Sequence, residues 1–344
     1  MLLQPLHIGV YQPPGIPQSF RVYAHNILTR LTRQGMSYVS FGDAASLPRC
    51  VDVLWYIRSG GGNPPPDFLL TADTGPLVVT IHGFAPMTLP AREYFRDFKE
   101  IVIGPWYSLQ KRRHWARTRQ AIAAVIAVSQ FTRHETLRLA GIDAGRISVC
   151  YHGVDAELFA CGARQAETPY FLHVSNDEPR KNIPRIVSAF RKVRQRHEVE
   201  LLLKLPKEAA RRYSGIDGVR IISGHLDDAV LAGLYRGALA YLFPSLYEGF
   251  GMPILEAMAS GCPVITSNCT ACPEVAGNAA MLVDPRSKAE LRQAMLSCCE
   301  EPARLAAYAK AGLARAREFS WDDSAACHAR VFASAYARAR ARSV

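Results

Sequence analysis

The sequence predicts an α/β protein built from two doubly wound, Rossmann-like domains, each a parallel sheet covered by helices. Three observations predict it. Short apolar runs alternate with amphipathic segments along all 344 residues, and strand–helix alternation of this kind gives parallel sheets with right-handed crossovers. Several runs are rich in Val, Ile and Leu without polar alternation, as strands buried on both faces are. The runs also fall into two series, parted by AELFACGARQAETP near Asp155–Pro169, where the pattern breaks.

The first series predicts strands at His7–Tyr11, Val51–Ile57, Leu77–Ile81, Ala124–Val128 and Ile147–Cys150. Helical patterns cover Ser19–Gln34 and Gln130–Leu139. The second series predicts strands at Tyr170–Val174, Glu200–Leu205, Val219–Ile222, Ala240–Phe243 and Val264–Thr266, with helices at Ile183–Arg196 and Ala229–Arg236. The expected domains are 1–160 and 161–320. A C-terminal helix and basic tail, 321–344, follow, and the helix is expected to cross back to the first domain. That tail carries Arg330, Arg338, Arg340 and Arg342, and a solvated helix end accounts for it. Two such sheets facing one another would form a central cleft at the carboxyl ends of their strands, where ligands of this architecture bind.

Composition narrows the function. Lys plus Arg exceeds Asp plus Glu by 41 − 30 = 11. The balance suggests an anionic partner: nucleotide phosphates, nucleic acid or an acidic membrane surface. No zinc knuckle, aromatic RNP pattern or basic zipper is present, so nucleic acid is not expected. No G-x-G-x-x-G follows an early strand, which disfavours a dinucleotide oxidoreductase. MLLQPLHIGVYQPPG lacks the charged n-region of a signal peptide. No apolar run approaches the roughly 18 residues of a spanning helix. The nine cysteines are irregularly spaced and read as reduced thiols of a cytoplasmic protein. Cys269-Thr-Ala-Cys272 has CxxC spacing but no second ligand pair, so no metal site is expected.

The stretch YEGFGMPILEAMASG, from Tyr247 to Gly261, carries the chemistry. It reads as a strand end, a glycine loop and a helix N-terminus. Pro253 fits the first turn, where its missing N–H costs nothing, and Gly261 fits the position after the helix. Free N–H groups at such a terminus favour phosphate or a polar ligand. Glu248 and Glu256 are acceptors suited to sugar or ribose hydroxyls. On the residues alone, Glu248 as a loop surface group and Glu256 as a complement to the helix dipole are equally good readings.

The stretch resembles the E-x7-E motif of retaining GT-B glycosyltransferases of glycosyltransferase family 4. HVSNDEPRKNIPRIVSAFRKV, LFPSLYEGFGMPILEAMASGCPVITSN and CPEVAGNAAMLVDP resemble its donor-binding segments in order, and VVTIHGF, AVSQFTRHE and ISVCYHGVD match it earlier in the chain. The resemblance implies that Glu256 holds the donor ribose and that Glu248 lies beside the donor sugar. It implies that Gly249 and the amides of Phe250, Gly251 and Met252 line the sugar. Arg180 and Lys181 would neutralise the leaving diphosphate without metal, an electrostatic stabilisation of the transition state. Ser175 and Asn176 would touch the phosphates, Glu274 would line the donor pocket, and His82 would act beside the sugar. Gly15 and Ile16 stand where the family has an acceptor or phosphate loop. Three positions depart from the family. Val174-Ser175 stands where Gly-Arg is common, Gly83 where an aspartate often follows the histidine, and Gly15-Ile16-Pro17 where paired glycines are frequent.

WYSLQKRRHWARTR, Trp106–Arg119, has five Lys or Arg, three aromatic residues and no acid. It suits either peripheral contact with anionic lipid or an ordinary basic helix with buried aromatics.

The resemblance therefore implies a retaining, metal-independent hexosyltransferase without a cofactor. Its co-substrate would be a nucleoside diphosphate sugar, a GDP-sugar ahead of a UDP-sugar and GDP-mannose first. Its acceptor would be the hydroxyl of a lipid-linked saccharide or oligosaccharide in surface polysaccharide or lipopolysaccharide synthesis, met at the inner face of the plasma membrane. A sugar-nucleotide epimerase on the same fold and a non-catalytic nucleotide-sugar-binding scaffold are the alternatives.

Overall fold

The structure, a computed structural model, describes residues 5–71, 73–160 and 168–341. Residues 1–4, the centre of the expected linker (161–167) and Arg342 of the tail lie outside the described residues. The chain forms two compact units, which are not contiguous blocks of sequence. The first comprises Met1–Thr88, Val102–Gly153 and Ser320–Val344; the second comprises Leu89–Ile101 and Val154–Phe319.

The first unit holds strands β1 His7–Tyr11, β2 Ser37–Phe41, β3 Val53–Ser59, β4 Leu77–Ile81, β5 Ile122–Ala127 and β6 Ile147–Val149. They lie in the order β2-β1-β3-β4-β5-β6, every pair parallel. β4, LVVTI, is buried at all five positions, as a central strand covered on both faces must be. Alternate residues feed the two faces. Leu54, Tyr56, Val79, Ile81, Val125 and Ala127 share a core with Trp115 and Leu139. Trp55 and Thr80 instead meet Tyr23, which stands on helix Gln18–Arg33. That helix buries Tyr23, Ala24, Ile27, Leu28 and Leu31, one stripe at helical spacing.

Helix Trp321–Arg340 completes the same face, packing on helix Gln18–Arg33. The Ser320 side chain accepts from the backbone N–H of Asp322 and Asp323, which satisfies two first-turn donors. Trp321 N comes so near Gly153 that a Cβ there would lie 2.1 Å from it, so only glycine admits this approach. Cys150 and Cys327, 177 residues apart in sequence, are joined by a disulfide with Cα atoms 5.7 Å apart. This corrects the expectation of uniformly reduced thiols, because the returning helix sets Cys327 against the end of β6.

The second unit holds β7 Tyr170–Val174, β8 Glu200–Leu205, β9 Val219–Ser223, β10 Ala240–Phe243, β11 Val264–Ser267 and β12 Met281–Val283. Their order is β12-β11-β10-β7-β8-β9, again all parallel. Helix Ile183–Arg194 buries Ile183, Ile186, Phe190 and Val193 against Leu201, Leu203 and Leu242 of this sheet, with Met295 of helix Lys288–Glu300. Chain direction across each sheet reverses once, between β1 and β3 and between β7 and β10. Ligands of doubly wound sheets bind at that switch point, outside the carboxyl ends of the strands.

The expected strands appear within two residues of their bounds. β2 escaped the sequence reading because SYVSF is an edge strand, largely exposed, with no apolar run. The helix expected over Gln130–Leu139 is regular only to Glu135 and continues as a π-helical turn, Thr136–Ala140, before Gly141 at φ +64.

Candidate active site

In the second unit, β7 and β10 pair at the switch point, and the two loops that leave their carboxyl ends are tied together. Leu246 N donates to Arg180 O at 2.8 Å, and Arg180 Nη1 donates to Tyr247 O at 3.1 Å. Asn182, at φ +67, donates from Nδ2 to the carbonyls of Pro244 and Pro285. These bonds fix the turn Pro179–Lys181 against the glycine loop.

Four charges result. Lys181 Nζ lies 2.7 Å and Arg180 Nη1 3.2 Å from Glu248 Oε1. Arg180 Nε lies 2.5 Å from Glu178 Oε2, and Asn176 Nδ2 donates to the other Glu178 oxygen. Lys181 and Glu248 are each only 8% exposed. Burial alone would raise the Glu248 carboxyl, but Lys181 and Arg180 outweigh it and hold it below its ordinary range. Burial pushes the Lys181 ammonium down, with Glu248 opposing. Lys181 also sits 4.9 Å from the centroid of the Phe243 ring, a cation–π contact.

Gly251, at φ +106, is the turn into helix Met252–Ala259, and no side chain caps that helix. Pro253 has no N–H and Ile254 N donates to Gly251 O at 2.9 Å, which leaves the Met252 amide as the first-turn donor that can face a ligand. Gly249 and Phe250 lie in the same loop, with the Phe250 ring edge-on to Phe319. Glu256 is half-buried one turn into the helix, and Tyr235 OH donates to its Oε2 at 3.0 Å. Burial pushes this carboxyl up to about 7. The Ser175 hydroxyl bonds His173 Nε2 at 2.7 Å, while His173 Nδ1 donates to Leu242 O. Burial holds that imidazole neutral, pushed down to about 4. Glu274 lies in the first turn of helix Cys272–Ala276, and its carbonyl accepts from Arg315. Cys269 and Cys272 are free thiols, and no three metal-ligating side chains cluster among the described residues.

Segment Leu89–Ile101 belongs to this unit too. Glu93 receives two bonds from Arg286, after β12, and Arg96 pairs with Asp177, after β7. Glu178, His173, Tyr235 and this segment were not singled out from sequence. The available signals were the E-x-R spacing of Glu178 and Arg180 and a polar residue inside the apolar run YFLHV.

His82 lies in the first unit, at the end of β4. Its Nε2 lies 3.0 Å from Ile57 O, so Nε2 carries the proton and Nδ1 is left as an acceptor. His82 stacks on His152 and meets Phe20 and Tyr23 edge-on. Burial pushes it down to about 4. Behind it runs an ordered chain of donors. Trp55 Nε1 donates to Thr80 Oγ1, Thr80 bonds Tyr23, and Tyr23 OH lies 2.5 Å from His328 Nε2, whose Nδ1 donates to Ser324 O. Gly15, at φ +73, and buried Ile16 form the turn after β1. Paired glycines do occur at this edge, but after β3, where Gly61 and Gly62 have positive φ and Gly62 N donates to Gly83 O.

Comparison with known proteins adds the following. The model of group 1 glycosyl transferases matches residues 168–301, and that of glycosyltransferase family 4 matches residues 63–158. The MMP α-(1→4)-mannosyltransferase of Mycolicibacterium hassiacum is 32% identical over 284 residues, 77% of this chain and 67% of that protein. The O-antigen chain mannosyltransferase B of Escherichia coli is 29% identical over 282 residues, 75% of this chain and 70% of that one. Among solved structures, a glycosyltransferase from Rickettsia africae has a TM-score of 0.70 at 16% identity, covering 96% of this chain and 98% of its own. HepE of Anabaena, in complex with UDP-glucose, has a TM-score of 0.69 at 18% identity, covering 92% and 96%. At these identities the structures show the fold alone.

Proposed function

This chain belongs to glycosyltransferase family 4 and is a glycosyltransferase, and on that premise we propose that it is a retaining, metal-independent hexosyltransferase. It takes a nucleoside diphosphate sugar, with GDP-mannose the first choice, and glycosylates a hydroxyl of a lipid-linked saccharide in surface polysaccharide synthesis. The observation that carries the reading is the Arg180–Lys181–Glu248 cluster at the switch point of the second sheet.

The geometry supports the following roles. Arg180 and Lys181 receive the diphosphate and stabilise its charge as the glycosyl bond breaks. Glu248, kept ionised by those cations, faces the sugar and the positive charge that develops on it. The amides of Phe250, Gly251 and Met252 bind sugar hydroxyls, and Glu256 accepts from the ribose. Ser175 and Asn176 flank the phosphates, and Glu274 borders the pocket. In the first unit, neutral His82 offers Nδ1 to a sugar hydroxyl, with Gly15 and Ile16 in the acceptor-side loop. The mannosyl choice is supported by the names of the two relatives above, and the retaining outcome by the α-linkage in one of them. We place the enzyme at the cytoplasmic face of the membrane, in peripheral contact with it; no described helix is long and apolar enough to cross a bilayer.

Calorimetry with GDP, UDP, ADP and dTDP, in the absence of metal, tests the reading. One nucleotide should bind in the micromolar range and lose affinity in Glu256→Ala. A folded protein that binds none of them overturns it.

A further inference from the structure

Helix Phe98–Thr118, which belongs to the first unit from Val102 onward, has two unlike sides there. On the inner side, Ser108 donates to Pro86 O at 2.7 Å, Lys111 to Gly61 O at 2.7 Å and Trp115 Nε1 to Gly62 O at 2.9 Å. Gly104 and Trp115 are buried there. On the opposite side, Val102, Trp106, Leu109, Arg113 and Arg117 recur at i, i+4, i+7, i+11 and i+15, one stripe of a helix, and all five are exposed.

The stripe is divided along its length. Its first half is apolar: Val102 is 61%, Trp106 57% and Leu109 45% exposed, with Ile103 and Tyr107 exposed beside them. These five lie within eight residues, and Val22, Tyr38 and Tyr151 are the other exposed large hydrophobics among the described residues of this unit. Its second half is basic, and from Ile101 to Arg119 the sequence contains no acid. No ion pair of Arg113 or Arg117 is found among the described residues.

We infer that this stripe is the surface by which the protein docks on an anionic lipid bilayer. The helix would lie in the plane of the interface, with Val102, Trp106 and Leu109 in the acyl boundary and Arg113 and Arg117 on the headgroups. Apolar burial supplies one part of the binding and attraction of arginine to anionic lipid the other. A nucleic acid would use the arginines but leave Trp106 and Leu109 in water. The inference rests on the membrane-peripheral reading above and adds the exposed stripe that makes the contact and its orientation.

Co-sedimentation of the full chain with vesicles tests it, using phosphatidylcholine alone and phosphatidylcholine with about a third phosphatidylglycerol. The protein should bind the anionic vesicles and not the neutral ones. Arg113→Ala/Arg117→Ala should weaken binding roughly 25-fold, at about 5-fold per arginine, and Trp106→Ser/Leu109→Ser by about 10-fold or more. Both variants should keep wild-type nucleotide affinity, which shows that they are folded. If the variants bind vesicles as the wild type does, the stripe is not the surface, while the peripheral reading stands. If the wild type binds no vesicles, both fall and the donor site is untouched. If it binds an RNA homopolymer with the same need for the arginines and none for Trp106, the face is a polyanion site and the inference is overturned.

Discussion

The two units solve one packing problem and then fill the same place with opposite chemistry. Each sheet is parallel, reverses direction once and presents its loops at the carboxyl edge. In the second unit that edge holds four charges in contact, Arg180, Lys181, Glu178 and Glu248. In the first it holds imidazoles, phenol and indole, with His82, His152 and His328 all held neutral by burial. Burial penalises charge at both edges. One unit offsets the penalty by pairing charges, and the other avoids it around His82 by keeping its buried rings neutral. A paired cluster can exchange its carboxylates for phosphate; a neutral one can only offer directed hydrogen bonds.

The strongest way to break this contrast is to unpair the charges. Lys181→Ala should slow glycosyl transfer by about 10²–10³-fold, the cost of losing one preorganised group at a developing charge. It should also lower stability by about 3 kcal/mol, since Glu248 is left buried with Arg180 alone. Steady-state rates with the preferred donor and urea unfolding measure the two effects, and an unchanged rate would remove Lys181 from the site.

In the first unit the corresponding change is stability without charge. His328→Ala removes the acceptor of Tyr23 OH and the donor to Ser324 O, and should cost about 3 kcal/mol through buried groups left unbonded and the cavity formed. Nucleotide affinity should not change, because the proposed nucleotide site lies in the other unit. A parallel loss of GDP binding would show that the two chemistries are not separate.

Acid sharpens the comparison further. His82 and His328 are pushed down to about 4 in the fold, against an ordinary 6.5. The unfolded chain therefore binds more protons between those values, and stability falls as the pH falls through that window. The slope is about 1.4 kcal/mol per pH unit for each such histidine. Denaturant melts from pH 7 to 4 should show it, with a shallower slope in His328→Ala.

The smallest effect is at Glu256. Its carboxyl, raised to about 7 by burial, must be ionised to accept both ribose hydroxyls. Nucleotide affinity should therefore rise several-fold from pH 6 to 8 as the ionised fraction grows, and Glu256→Gln should flatten the profile. A flat wild-type profile would mean that Glu256 does not contact the ribose.

Much of this was legible in the residues. Strands such as LVVTI announce themselves because burial on both faces demands an unbroken apolar run. The Glu248–Glu256 stretch was legible because turn chemistry and a helix start leave marks a few residues apart. The pairing of Lys181 with Glu248 was not, since 67 residues separate them and only the β7–β10 pairing brings them together. The exposed edge strand β2 and the Glu178 contact lacked any periodic signal. The Tyr23–His328 bond spans 305 residues, and neither residue is unusual where it stands. Local physics writes itself into local sequence, whereas contacts made by topology become visible only once the topology is known.

The return of helix Trp321–Arg340 to the first unit has a temporal side. The ribosome delivers every residue of the second unit, through Phe319, before it delivers that helix. The unit encoded first can therefore be completed only last. Until then Trp55 and Tyr23 lack the His328 and Phe332 that cover them. A chain ending at residue 319 and released from the ribosome should carry a folded second unit and an open, chaperone-binding first unit.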